Sequence, residues 1–83
     1  MDSILVKYGV LADKVLNDLK KDRETRLKLM GRKPSGLKAS IVYILMRKEG
    51  YSISMSYIAK QYKVSTETLR KNLKILKKYL PNR

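Results

Sequence analysis

The stretch Ile53-Ser54-Met55-Ser56-Tyr57-Ile58-Ala59-Lys60-Gln61-Tyr62-Lys63-Val64-Ser65-Thr66-Glu67-Thr68-Leu69-Arg70-Lys71-Asn72-Leu73-Lys74-Ile75-Leu76-Lys77-Lys78-Tyr79-Leu80 decides the fold. It divides into two helical patterns around the turn Lys63-Val64-Ser65. The first carries Met55, Ile58, Ala59 and Tyr62. The second begins at Thr66 and carries Leu69, Leu73, Leu76 and Leu80, whose spacing of four, three and four puts four leucines on one helix face. The other face shows Glu67, Arg70, Lys71, Lys74, Lys77 and Lys78. Ser54 and Ser65 each precede a helical pattern, where a hydroxyl can accept an orphan backbone N–H of the first turn. Glu67 falls in the first turn of the second pattern, where the helix dipole favours a carboxylate. A short helix, a tight turn and a longer helix with a basic outer face is the pattern of a helix-turn-helix, here over about residues 53–80. The same pattern also fits an ordinary helical hairpin with a solvated basic face. Lys63 stands where such turns often place Gly, which adopts positive φ without strain.

Working back toward the N-terminus, Leu37, Ala39, Ile41, Val42, Tyr43, Ile44, Leu45 and Met46 give residues 37–48 an almost continuous apolar surface. The length and the flanking Ser35 and Gly50 favour a helix over a strand, and a helix apolar all round belongs at the centre of a core. Glu49-Gly50-Tyr51-Ser52 ends it. Ser35 is expected to cap it, after the loop Gly31-Arg32-Lys33-Pro34-Ser35-Gly36. That loop lacks the Gly-Lys-Ser/Thr ending of an ATPase phosphate loop. Leu11, Val15, Leu16 and Leu19 recur with helical spacing, so an amphipathic helix is expected over residues 10–26, with mixed charges that suit solvent better than a membrane surface. Leu27, Leu29 and Met30 are expected to pack the connection that follows. Ile4-Leu5-Val6, before Gly9, reads as one or two helical turns closing the core. Leu80-Pro81 is expected to stop the last helix.

Composition narrows the function. The 83 residues suffice for one small domain with one core, residues 1–83. With no Cys and no His, there is no disulfide, no cysteine zinc site and no imidazole base or ligand, so neither metal nor cofactor is expected. Asp13 and Asp18, five apart, fall on different faces of a helix, and no nucleophile–base pair is visible, so an enzyme is not expected. No apolar run reaches a membrane span and Met1-Asp2-Ser3 does not open a signal peptide, so the expectation is a cytoplasmic protein. Twenty basic against seven acidic residues give a net charge of +13, which calls for a polyanionic partner: DNA, RNA or an anionic surface. Between Lys60 and Arg83 there are eight basic residues and one acid, so the polyanion should meet the C-terminal half.

Gly31-Arg32-Lys33-Pro34-Ser35-Gly36-Leu37-Lys38-Ala39, followed by Ile41-Val42-Tyr43-Ile44 and Glu49-Gly50, resembles the second cyclin repeat of archaeal transcription factor B and eukaryotic transcription factor IIB. Ile58-Ala59 and Val64-Ser65-Thr66-Glu67-Thr68-Leu69-Arg70 resemble the helix-turn-helix of the same repeat. The resemblance covers about residues 10–80 and implies an all-α, five-helix cyclin box around one central helix. It implies major-groove binding beside a TATA box, with an Arg at the position of Arg70 reading a base. Glu67 faces bases in that family too, where the residue is usually apolar; a carboxylate there can accept from a cytosine amino group. Lys71 and Lys74 complete the expected base-reading set. Arg32, Lys33, Ser54, Ser56, Lys60, Lys63, Ser65, Thr66, Lys77 and Lys78 are the expected contacts to the DNA backbone; Arg32 and Lys33 read equally well as solvated. The chain departs from the family at Ser54-Met55, commonly Thr-Gln, and at Arg70-Lys71-Asn72, commonly Arg-Asn-Arg.

The full factor adds a zinc ribbon, a polymerase-entering linker and a first repeat that makes much of the contact with the TATA-binding protein. The resemblance therefore leaves two forms open, a stand-alone archaeal or viral regulator and an excised domain, with duplex DNA and the TATA-binding protein as candidate partners. Two other classes compete. One is an RNA-binding or ribosome-associated basic protein, against which stands the scarcity of stacking aromatics: six Tyr, no Phe and no Trp. The other is a protein-interaction module.

Overall fold

The computed structural model describes residues 3–78. Among them the chain forms five helices and no strand: α1 (Ser3–Lys21), α2 (Arg23–Leu29), α3 (Pro34–Lys48), α4 (Met55–Gln61) and α5 (Thr66–Leu76). α3 is the hub, packing against α1, α4 and α5, while α2 packs against α1. Leu37, Ala39, Ile41 and Val42 of α3 are almost wholly enclosed. Leu5, Ala12 and Leu16 meet them from α1, Ile58 and Ala59 from α4, and Leu69 and Leu76 from α5. Ser40, inside the same core, donates its hydroxyl to the Gly36 carbonyl at 2.8 Å, which removes the penalty of burying it. The apolar reading of residues 37–48 as a central helix is thus correct.

The N-terminal third differs from its expected form. α1 starts at Ser3 and runs unbroken through Gly9. Gly9 is buried, and a Cβ there would lie 3.2 Å from the Tyr62 hydroxyl and 3.3 Å from Lys38 Cε, so the residue is set by close packing and not by a helix end. The expected helix over residues 10–26 is instead cut at Asp22. This residue adopts extended dihedrals, and its carboxylate accepts from the Thr25 N–H at 2.9 Å and the Thr25 hydroxyl at 2.8 Å, starting α2. Of the three residues expected to pack the connection, only Leu29 is buried; Leu27 and Met30 are exposed.

α3 begins one residue before its expected cap. Pro34 occupies the first helical position, where its missing N–H loses no bond and its fixed φ suits the helix. Lys33 precedes it in extended conformation, as a residue before proline prefers, and Ser35 lies inside the helix and does not cap it. At the other end, Gly50 (φ 94°) lets the Tyr51 N–H return to the Met46 carbonyl at 3.0 Å and its own N–H to Arg47 at 3.1 Å. That is a Schellman motif built on a left-handed residue. α5 ends at Leu76, and the expected stop at Leu80-Pro81 lies outside the described residues. No helix among the described residues is long and apolar enough to cross a membrane.

Candidate nucleic-acid interface

The turn between α4 and α5 repeats the Schellman geometry with Lys63 in place of Gly. Lys63 has φ 55°; the Val64 N–H reaches the Ala59 carbonyl at 2.9 Å and the Lys63 N–H reaches Lys60 at 3.3 Å. Ile58, Ala59 and Leu69 close the angle between the two helices from inside, with Tyr62 and Val64 half-buried beside them. Burial pushes the Tyr62 phenol above its ordinary value, against the opposing pull of Lys38.

Each helix of the pair carries its expected cap. Ser54 Oγ accepts from the Tyr57 N–H at 3.1 Å, and Ser65 Oγ accepts from the Thr68 N–H at 3.0 Å while donating to Thr68 Oγ1 at 2.9 Å. Both hydroxyls are therefore employed in starting helices. With Leu69, Leu73 and Leu76 buried, Glu67, Arg70, Lys71 and Lys74 stand exposed on the outer face of α5, and Lys77 and Lys78 are exposed beyond its end. Ser56, Lys60 and Lys63 are exposed on the α4 side, and Thr66 is half-buried. Among the described residues the ion pairs are Lys21–Asp18 and Lys38–Asp13, so neither involves a cation of α5.

The loop before α3 reaches this surface. Arg32 is half-buried and donates from Nη1 to Asn72 Oδ1 at 2.9 Å, while Lys33 is exposed. Arg32 is thus neither a free surface charge nor simply solvated; it ties the loop to α5. Gly36 lies under the same helix, where a Cβ would meet Thr68 Cγ2 at 3.1 Å and Asn72 Nδ2 at 3.2 Å. Arg32, Lys74 and Lys78 meet around an open cleft of about 430 Å³ whose other walls are Lys28 and Ile75.

Two members of this surface escaped the sequence reading. Asn72 was visible only as a departure from a family pattern, and its burial needs the Arg32 partner to be seen. Lys28 was hidden because the helix break at Asp22 was missed; the Asp22-x-x-Thr25 spacing of a capped helix start was the available signal.

A capped short helix, a left-handed turn and a second capped helix with a cationic outer face form a helix-turn-helix of the DNA-binding type. A family model described as an HTH domain matches residues 38–81, more than half of the chain, and the chain belongs to that family. The matched segment takes in most of α3 with α4 and α5. Neither the curated proteins nor the solved structures give a match.

Proposed function

We propose that this protein regulates transcription by laying α5 in the major groove of promoter-type duplex DNA, in the manner of the second cyclin repeat of transcription factor B. The observation that carries the reading is the outer face of α5, where Arg70, Lys71 and Lys74 are exposed and in no ion pair among the described residues, while the leucine face is buried. Arg70, five residues after the Ser65 cap, lies where recognition helices approach base edges. Its guanidinium can donate to guanine O6 and N7, and Glu67, one turn earlier, can accept from a cytosine amino group. Lys33, Lys60, Lys63 and Lys77 are exposed and suit phosphates. The likeness to a cyclin box gains support from the helix order, with α3 at the centre of five, and from the Arg32–Asn72 bond, which gives the Gly31–Gly36 loop a reason to accompany this helix-turn-helix. The protein acts by binding and not as an enzyme, on cytoplasmic DNA, and the TATA-binding protein is its candidate partner on such a promoter.

Competition of duplex DNA against duplex RNA of equal length tests the reading. DNA is expected to win, because A-form RNA closes its major groove to a helix. Equal competition would transfer the basic face to RNA. Contact with about six phosphates lowers affinity on the order of a thousandfold between 50 and 200 mM salt, and a flat salt response would refute the electrostatic part.

A further inference from the structure

We propose that the cleft between α2 and α5 is a seat for one backbone phosphate of the DNA, formed by Lys28, Arg32, Lys74 and Lys78. The inference rests on the docking of α5 proposed above and assigns one wall of that docking to a part of the chain outside the helix-turn-helix.

Three separate segments supply the cations. Lys28 comes from the last turn of α2, Arg32 from the loop, Lys74 from the last turn of α5 and Lys78 from just beyond it, with Ile75 beside them. α2 and α5 do not pack on each other, so the cleft stays open between them. Four like charges converging on one cleft disfavour one another unless an anion enters, and no carboxylate of the described residues is paired there. Arg32 is held in place: one N–H of its fork is fixed by Asn72, a buried side chain, and the remaining donors suit an oxyanion. The spacing also fits duplex DNA. At about 1.5 Å per residue, Lys74 lies roughly 6 Å further along the axis than Arg70, and Lys78 at most about twice that. The major groove is about 12 Å wide, so with Arg70 over the bases the end of α5 meets the groove wall, where the phosphates are. Lys74, expected from the sequence to read a base, belongs to this phosphate seat.

The test compares the full chain with Lys28→Gln, an exposed position outside the helix-turn-helix, and with Lys14→Gln, which removes the same charge from an exposed site on α1 outside the cleft. Duplex affinity is measured at 50 and 200 mM salt, and the duplex is scanned with single uncharged methylphosphonates. One released counterion changes the ratio of the two affinities by about three- to fourfold. Lys28→Gln is expected to lower that ratio by a part of this factor, since Arg32, Lys74 and Lys78 still hold the phosphate, and to be weakened less than the unaltered protein by one methylphosphonate, with unchanged preference between selected and random duplexes. Lys14→Gln is expected to keep both the ratio and the phosphate map. If Lys28→Gln behaves as Lys14→Gln does, the phosphate seat is wrong while the docking of α5 stands. If the unaltered protein binds no duplex, both fall.

Discussion

Arg32 Nη1 donates to Asn72 Oδ1 at 2.9 Å, across forty residues of sequence, and so fastens the α2–α3 loop to the inner side of α5. A bond to a charged donor contributes about 1.5–3 kcal/mol when well buried, and less here because Arg32 is only half-buried. Asn72→Leu keeps the branched shape and removes the acceptor. It is expected to cost about 1 kcal/mol in urea unfolding. Because the freed Arg32 then leaves the surface of α5, duplex affinity should fall even at temperatures where the variant is fully folded. Unchanged stability and affinity would show that the bond has no consequence.

Gly36 packs directly against α5. Replacing it with Ala improves helix propensity by up to about 1 kcal/mol. The new methyl, however, presses on Thr68 Cγ2 and Asn72 Nδ2 at 3.1 and 3.2 Å. Both neighbours are held, Thr68 by its bond to Ser65 and Asn72 by Arg32, so neither can yield cheaply. Overpacking of this kind costs about 1–3 kcal/mol and should win. Gly36→Ala is expected to lower the unfolding midpoint, and a raised midpoint would show that α3 and α5 can separate freely.

Lys63 holds φ 55° in the turn between α4 and α5. A left-handed residue with a Cβ costs roughly 1–2 kcal/mol, and the added freedom of Gly in the unfolded chain returns about 0.5–1 of that. Lys63→Gly is therefore expected to stabilise the fold by about 0.5–1 kcal/mol, and Lys63→Val, with its branched Cβ, to destabilise it. Thermal unfolding of the pair checks the sign; a Gly variant less stable than the Lys protein would contradict the turn geometry.

What the sequence disclosed follows from the length over which a pattern repeats. The apolar run around Ile41 and the leucines of α5 span several turns, so the central helix and the helix-turn-helix were legible, as were the caps at Ser54 and Ser65. The break at Asp22 was not, because charged residues on both sides suit a continuous exposed helix equally well, and the Asp22-x-x-Thr25 spacing is a single local signal against them. Gly9 and Pro34 misled in opposite ways. The one looked like a helix end and is a packing contact; the other looked like part of a loop and is the first residue of α3. The phosphate cleft was out of reach, since it depends on how α2 and α5 are placed on either side of it.

Asp22 should leave a trace in the acid stability of the fold. Its backbone bond from Thr25, followed by the hydroxyl bond, holds its carboxyl below the ordinary value of 3.8. A carboxyl lowered on folding adds stability above its unfolded value, and that stability is lost as pH falls through the folded value. The stability difference between the unaltered protein and Asp22→Ala is thus expected to be constant at neutral pH and to shrink below about pH 4. A difference that stays constant down to pH 2 would mean that the capping bonds do not depend on the carboxylate charge.

In the proposed docking, α5 reads bases through Arg70. Selection from random duplexes defines the preferred sequence, and Arg70→Ala and Lys77→Ala are then titrated against it and against single-base variants. A bidentate contact to guanine is worth about 1–3 kcal/mol of discrimination, so Arg70→Ala is expected to lose preference at one base pair. Lys77→Ala should weaken all duplexes about equally and lower the salt slope by about one. If Arg70→Ala loses the same affinity for selected and random duplexes, α5 contributes charge alone and base reading by this helix is refuted.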